Sequence, residues 1–110
     1  MAGTPREWVV VFDGDAVIDF EDVKSRGERK AIFNVVDKLR ALGPDLPSPH
    51  IKSLKGETDL FELRPKQGNS PVRAIYARLG DRFVVLAVAA KKNGFDAAVA
   101  DAKERLERHR

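Results

Sequence analysis

Residues 60–90 hold three strand-like segments joined by short turns, and this pattern constrains the fold more than any other part of the chain. The segments at 60–64, 72–79 and 82–90 are rich in aliphatic and aromatic residues. Residues 67–70 and 80–81 separate them and have the composition of turns. Connections this short join antiparallel neighbours. The sequence therefore predicts an antiparallel meander.

Helices and two extended segments flank the meander. The clearest helix begins after Ser25, because Ser25 and Glu28 have the spacing of a capping box, and it ends before Gly43 and Pro44. The other expectations are a strand at 8–12, a helix at 15–25, a short extended piece at 50–54 and a helix from 95 or 96 to about 108. The order is β-α-α-β-β-β-α, which predicts a small α+β domain with helices packed against one face of an antiparallel sheet.

The composition predicts a single domain over residues 1–110. With 110 residues, of which 43% are apolar, the chain can bury a core of its own. The absence of cysteine excludes disulfides, thiolate metal ligands and thiol nucleophiles. The longest apolar run, residues 83–90, is too short to span a bilayer. We therefore expect a cytoplasmic protein with no membrane partner.

Basic residues are concentrated in and around the predicted meander. The formal net charge of the chain is only +3, yet residues 64–92 contain seven basic residues and one acid, Asp81. Because strand side chains have fixed positions, this excess predicts a patterned basic surface that binds a polyanion. An ordinary solvated sheet face is the alternative interpretation. The basic residues are Arg64, Lys66, Arg73, Arg78, Arg82, Lys91 and Lys92.

Several short motifs, taken in order, resemble a known family. They are Trp8 with its valine strand, the run Leu54, Lys55 and Gly56, residues 60–64, the run Arg73, Ala74, Ile75 and Tyr76, the pair Lys91 and Lys92, and the spacing of Val99, Ala102 and Arg105. Together they resemble the HigB-like, phage-derived branch of the RelE/ParE toxin superfamily of bacterial type II toxin–antitoxin modules. The resemblance covers most of the chain and implies a RelE-like domain with the element order given above.

The resemblance also implies a function. Many proteins of this family are mRNA interferases, endoribonucleases that cut mRNA in the ribosomal A site and so inhibit translation. Each is neutralised by a cognate antitoxin, often a helix-turn-helix protein. The chain departs from the family at residues 87–90, where Ala-Val-Ala-Ala replaces an aromatic and histidine-containing segment. Two alternatives therefore stay open: a non-enzymatic, ParE-like inhibitor of DNA gyrase, and an inactive basic module that binds nucleic acid or a partner.

RNA cleavage of this kind needs neither a metal nor a cofactor. The 2′-hydroxyl attacks the adjacent phosphorus, so the protein has to move protons and stabilise the charge of the phosphorane. Guanidinium groups suit that charge, and the resemblance assigns it to Arg64 and Arg73. In the alternative interpretation both arginines are structural, and Arg64 pairs with an acid such as Glu62.

Proton transfer has several candidates. A lysine can act as a base if neighbouring cations lower its pKa, which favours Lys91 or Lys92, and Tyr76 could donate a proton or stack on a base. In the alternative interpretation the two lysines only give solubility and attract phosphate, and the ring of Tyr76 packs in the core with its hydroxyl in water. His50 is expected at the surface and His109 in a frayed end. The residues expected to attract RNA without acting on it are Lys55, Lys66, Arg78 and Arg82.

Strand geometry limits how these residues can combine. On a regular strand Arg73 shares a face with Ile75, whereas Tyr76 points to the opposite face. Arg73 and Tyr76 can therefore line one site only if the strand is bulged or the site forms at a curved edge. Otherwise only one of the two is functional.

Overall fold

The computed structural model describes residues 7–54, 56, 59–90 and 94–110. Within these residues the chain forms five β-strands and three α-helices. They are β1 Val9–Phe12, α1 Gly14–Glu21, α2 Arg26–Leu42, β2 Ile51–Ser53, β3 Phe61–Leu63, β4 Arg73–Leu79, β5 Arg82–Ala89 and α3 Phe95–Leu106. Among the described residues, no helix is both long enough and apolar enough to cross a membrane.

The strands form one sheet in the order β1-β5-β4-β3-β2. β3, β4 and β5 are antiparallel neighbours, which confirms the predicted meander, and the extended piece near residue 50 adds β2 as an antiparallel edge strand. β1, in contrast, pairs with β5 in parallel. The sheet is therefore mixed rather than purely antiparallel, because most of the chain separates β1 from β5 and no short turn fixes their relative direction.

Helix α2 begins and ends as its sequence predicts. The Ser25 hydroxyl accepts a hydrogen bond from the backbone N–H of Glu28 at 3.2 Å, and Gly43 follows the last turn with a φ of 54°. A Cβ on Gly43 would lie 2.5 Å from the ring of Trp8, so the end of the helix requires glycine both for its backbone and for this contact. The buried face of α2 consists of Ala31, Ile32, Val35, Val36 and Leu39.

The sheet is covered by helices on both faces. Ala74 and Tyr76 of β4 belong to a core cluster with residues of α1 and α2, whereas Ile75 and Ala77 belong to a second cluster with α3. Since alternate strand residues point to opposite faces, we call these faces the α2 side and the α3 side. The α+β class and the predicted order of helices and strands are confirmed, but the helices do not all pack on one face. The face that α3 buries consists of Ala98, Ala102 and Leu106.

A bulge interrupts the pairing of β4 with β5. Ile75 pairs with Ala87 but the next residue, Tyr76, pairs with Val85, which leaves Leu86 without a partner on β4. Leu86 and Ala87 are both packed on the α3 side. The extra residue therefore lies in β5, and β4 keeps its regular alternation.

Two side chains complete the edge of β5 beyond the end of β1. The carbonyl of Leu86 accepts a hydrogen bond from Arg105 Nη1 at 2.9 Å, and the N–H of Val88 donates to Asp19 Oδ2 at 3.2 Å. Arg105 and Asp19 are themselves joined at 2.7 Å. An ion pair between α1 and α3 thus satisfies backbone groups that have no strand beside them.

The end of the described chain is fixed to the start of α1. His109 Nε2 lies 2.7 Å from Asp13 Oδ2, and Arg108 Nη2 lies 2.6 Å from Asp15 Oδ2, so His109 is not in a frayed end as expected. Asp13 also caps α1 by accepting from the backbone N–H of Asp15 at 2.9 Å. Burial alone would raise the pKa of Asp13, but the hydrogen bonds from His109 and Asp15 and the charge of Arg108 outweigh it and hold that pKa below its ordinary value.

Candidate functional site

The structure brings Arg64 and Arg73 together around one carboxylate. Glu62 of β3 lies opposite Ile75 of β4, which places it on the α3 side. Arg73 Nε lies 2.7 Å from Glu62 Oε1, and Arg64 Nε lies 3.8 Å from the same oxygen. Arg64, which directly follows β3, and Arg73 of β4 therefore converge on one buried acid. The alternative interpretation assigned the ion pair with Glu62 to Arg64, but Arg73 makes it at the shorter distance.

The guanidinium of Arg73 is fully engaged within the protein. Besides its ion pair with Glu62, it donates to the carbonyls of Gly68 at 3.0 Å and Val72 at 2.9 Å, and to the carbonyl of Ser70. Its side chain is only 13% exposed. Arg73 thus ties the turn between β3 and β4 to the carboxylate and has little capacity left for a ligand.

Arg64 has the opposite character. Its Nε is buried without a hydrogen-bond partner, and its guanidinium makes no hydrogen bond to any described residue. The side chain is 28% exposed, so part of it reaches solvent. Gly68 has a φ of 93°, and a Cβ there would lie 3.0 Å from Arg64 Nη2, so the turn packs directly against the guanidinium. Arg64 is therefore held in place while its donors are still available for an anion.

A cavity of about 320 Å³ opens beside this cluster on the α3 side, between the β2–β3 edge and the start of α3. Lys52 lies directly opposite Glu62 in the sheet register, so a cation and the carboxylate border the cavity together. Its lining residues are Lys52, Ser53, Leu54, Glu62, Phe95, Asp96 and Val99. In the described parts of the chain, no three His, Asp or Glu side chains are grouped so that they could hold a metal ion.

The structure does not bring Tyr76 to this cluster. Its ring lies on the α2 side, stacked on Phe61 at 5.4 Å between ring centroids and edge-on to Phe83 at 5.8 Å. Only 3% of the residue is exposed, and burial raises the pKa of Tyr76 to about 12. Because the bulge lies in β5 and not in β4, the opposite-face geometry expected from the sequence holds, and Tyr76 is part of the core.

Arg78 and Arg82 lie at the other end of the sheet from Arg73. Five residues of extended strand, about 16 Å, separate Arg73 from Arg78. The Arg78 guanidinium lies 5.3 Å from the centroid of the Trp8 ring, and its Nε donates to the carbonyl of Gly80 at 3.0 Å. Arg82 Nη2 lies 3.5 Å from the carbonyl oxygen of His109. Those of the seven basic residues that the structure describes therefore do not form one continuous surface.

Lys66 belongs to a different face from Arg64, although only Pro65 separates them. Its Nζ lies 3.0 Å from Glu28 Oε1 on α2. The Ser70 hydroxyl also donates to Glu28, and these hydrogen bonds, first that of Ser70 and then that of Lys66, lower the pKa of Glu28. The Glu28 carboxylate is therefore already paired within the protein.

Three of the predicted site residues, Lys55, Lys91 and Lys92, lie outside the described residues. The strand that leads to the last two is described. Ala87 and Ala89 are buried in the α3-side core, so the small residues that replace the family's polar segment serve to pack α3 against the sheet. The sequence reasoning did not assign Glu62 to the site, although its position two residues before Arg64 on an alternating strand was a signal for it.

Comparison with known proteins identifies the family. A family model described as Phage derived protein Gp49-like (DUF891) matches residues 20–108 of the chain. The chain belongs to this family. No curated protein matches the Gp49-like chain.

Solved structures confirm the fold. A double arginine-to-alanine mutant of E. coli toxin RelE in the free state is 17% identical, covers 90% of this chain and 97% of its own, and superposes with a TM-score of 0.66. The RelE–RelB complexes of Methanococcus jannaschii and Pyrococcus horikoshii OT3 are 20% and 18% identical. They cover 79% and 74% of this chain and 96% and 92% of their own, with TM-scores of 0.63 and 0.56. At such identities the likeness shows a shared fold, so the RelE-like fold predicted from the sequence is confirmed, and the Gp49-like match confirms the phage-derived family.

Proposed function

We propose that this Gp49-like protein is the toxin of a type II toxin–antitoxin module and acts as a ribosome-dependent mRNA endoribonuclease. The observation that carries this proposal is Arg64, whose guanidinium lies next to the Glu62 carboxylate that lines the cavity and makes no hydrogen bond to the described residues. A half-buried guanidinium that has only a long ion pair, here 3.8 Å to Glu62, and no hydrogen bond to the described residues is costly to maintain unless a ligand anion completes its hydrogen bonds. In RNA cleavage that anion is the scissile phosphate.

The cluster supplies two of the chemical requirements of such a reaction. Arg64 stabilises the negative charge that develops on the phosphorane, a task for which the forked donors of a guanidinium are suited. Arg73 acts as a positioning residue, since its donors hold Glu62 and the turn around Arg64 in place. The proton acceptor is then Glu62, Lys91 or Lys92. Tyr76 is left out, because it is buried on the α2 side and its hydroxyl does not reach this cluster.

The proposal includes a cognate antitoxin as partner. Two of the similar structures are complexes in which RelE is bound to its antitoxin RelB. A toxin with this fold requires such an inhibitor in its own cell, and by resemblance to its family the inhibitor is a helix-turn-helix protein. Expression of the two genes together should therefore restore growth.

The test is expression of the protein without an antitoxin. Growth and translation should stop, and mapping of RNA 5′ ends should show cuts in mRNA that disappear when ribosomes are removed from a purified translation system. Arg64→Ala should abolish both effects. Arg26→Ala is the matched control, since it removes an exposed arginine at the start of α2 that belongs neither to the site nor to the residues expected to attract RNA, and it should leave toxicity intact.

The same experiment decides between the alternatives. Full toxicity of Arg64→Ala would overturn the assignment of the site. DNA damage with intact mRNA would indicate a gyrase inhibitor. Harmless expression of the folded wild-type chain would indicate an inactive binding module, the alternative that the buried alanines of β5 favour.

A further inference from the structure

A second basic groove lies on the α2 side, away from the Arg64 cluster. It has a volume of about 370 Å³ and runs between α2 and the segment that carries His50 and Lys66. No acidic residue lines it. Its lining residues are Gly27, Lys30, Ala31, Asn34, Val35, Lys38, His50 and Lys66.

The helix places its polar residues along the groove at regular intervals. Lys30, Asn34 and Lys38 are four residues apart, so they form one stripe with steps of about 6 Å along the axis of α2. Neither lysine has an ion-pair partner among the described residues. The acids of α2 nearest in sequence are already neutralised, since Glu28 is bound by Lys66 and Asp37 by Arg40 at 2.9 Å. The groove therefore keeps its positive charge.

The turn after β3 leads the chain from one face of the sheet to the other. Lys66 and Gln67 have φ values of 54° and 58°, a left-handed conformation that residues with a side chain rarely adopt. This turn directs Lys66 towards α2, while Arg64 stays on the α3 side with its backbone N–H bonded to the carbonyl of His50 at 2.8 Å. The Arg64 guanidinium and the groove are thus joined around the end of β3.

We infer that this groove binds the phosphate backbone of the RNA strand that enters the Arg64 site. The inference rests on the proposed function and adds a contact surface to it. Regularly spaced lysines on a helix suit a chain of phosphates. A protein partner would need an apolar anchor, but the apolar lining residues Ala31 and Val35 are buried beneath the groove, 6% and 3% exposed.

The experiment measures binding of the full chain to a short single-stranded 2′-O-methyl RNA by fluorescence anisotropy over a range of potassium chloride concentrations. This RNA cannot be cleaved, because the attacking hydroxyl is blocked. The groove variant is Lys30→Gln with Lys38→Gln. The control, Lys24→Glu, lowers the net charge by the same amount at an exposed lysine that does not line the groove.

The groove variant should reduce the slope of log K against log salt by about 1.4, because each phosphate contact to a single strand contributes about 0.7. The control should retain the wild-type slope, and circular dichroism should show that both variants are folded. Equal slopes for the two variants would overturn the inference. So would a groove variant that loses binding to polyglutamate but keeps its affinity for RNA, since the groove would then accept an acidic protein segment.

A third variant, Arg64→Ala, separates this inference from the proposed function. Weaker RNA binding by Arg64→Ala together with unchanged binding by the groove variant would reject the groove alone. Absence of salt-dependent RNA binding in the wild-type chain would reject RNA as the ligand of both surfaces.

Discussion

Arg73→Ala should lower the free energy of unfolding much more than Arg64→Ala, although the sequence gives no reason to distinguish the two arginines. Removal of Arg73 leaves Glu62, whose side chain is 11% exposed, without its ion-pair partner, and leaves three backbone carbonyls without a charged donor. Loss of one member of a buried pair costs about 3–5 kcal/mol. Because Arg64 Nε, at 3.8 Å, still compensates part of the charge of Glu62, we expect about 3 kcal/mol.

Removal of Arg64 should cost far less stability. Its contact with Glu62 is long, and its buried Nε has no acceptor, so the expected loss is below about 1 kcal/mol. Urea unfolding followed by the fluorescence of Trp8, the single tryptophan, measures both variants. With an m-value of about 2 kcal/mol/M, the midpoint should fall by about 1.5 M for Arg73→Ala and by less than about 0.5 M for Arg64→Ala.

Two further variants calibrate this comparison. Arg73→Lys keeps the charge but loses the forked donors, so it should give an intermediate midpoint and remains measurable if Arg73→Ala does not fold. Arg26→Ala, at an exposed arginine of α2, should leave the midpoint unchanged. Equal midpoints for Arg73→Ala and Arg64→Ala would refute the division into a structural and a ligand-binding arginine.

Three more outcomes follow from contacts outside the site. Gly43→Ala should lower the free energy of unfolding by about 2 kcal/mol, because residue 43 has a positive φ and the new Cβ would collide with the indole ring of Trp8. Gly27→Ala inside α2 should be neutral or stabilising, and equal urea midpoints for the two variants would contradict this reasoning. Because the pKa of Asp13 is lower in the folded state than its unfolded value of about 3.9, ionised Asp13 stabilises the fold at higher pH, and this stability is lost as the pH falls through the folded pKa. Asp13→Asn should therefore be less stable than wild type near neutral pH, and the unfolding curves of the two proteins should converge in acid. Asp19→Asn and Arg105→Ala should destabilise non-additively in a double-mutant cycle of urea midpoints, and additive losses would show that the pair does not act as a unit.

The local parts of the fold were predictable from the sequence because short-range rules determine them. The capping pair Ser25 and Glu28 fixed the start of α2, and the brief turn at Gly80 fixed the antiparallel pairing of β4 with β5. The direction of β1 was not predictable, since no local turn links it to β5. The side on which α3 packs was missed for the same reason: its apolar stripe shows that it needs a partner but not which face provides it.

The candidate site was predictable in part. Arg64 was selected for its charge and its place on a strand, and alternation correctly separated Arg73 from Tyr76. The different partners of the two arginines depend on the carbonyls of the turn after β3, whose left-handed residues Lys66 and Gln67 carry no sequence signal. Contacts such as that between Asp13 and His109 join residues far apart in the chain and are outside the reach of any pattern argument.

The ion pair at the edge of β5 has a consequence for how the chain folds during synthesis. Asp19 is made early, but the Arg105 that joins it to the carbonyl of Leu86 is added 86 residues later. Until Arg105 is made, the carbonyl of Leu86 lacks this donor, although the N–H of Val88 can already bond to Asp19. The link between α1, α3 and the edge of β5 therefore forms only after α3 has left the ribosomal tunnel, and contacts of such long range make folding slow. This edge of the sheet is thus among the last parts of the described fold to be completed.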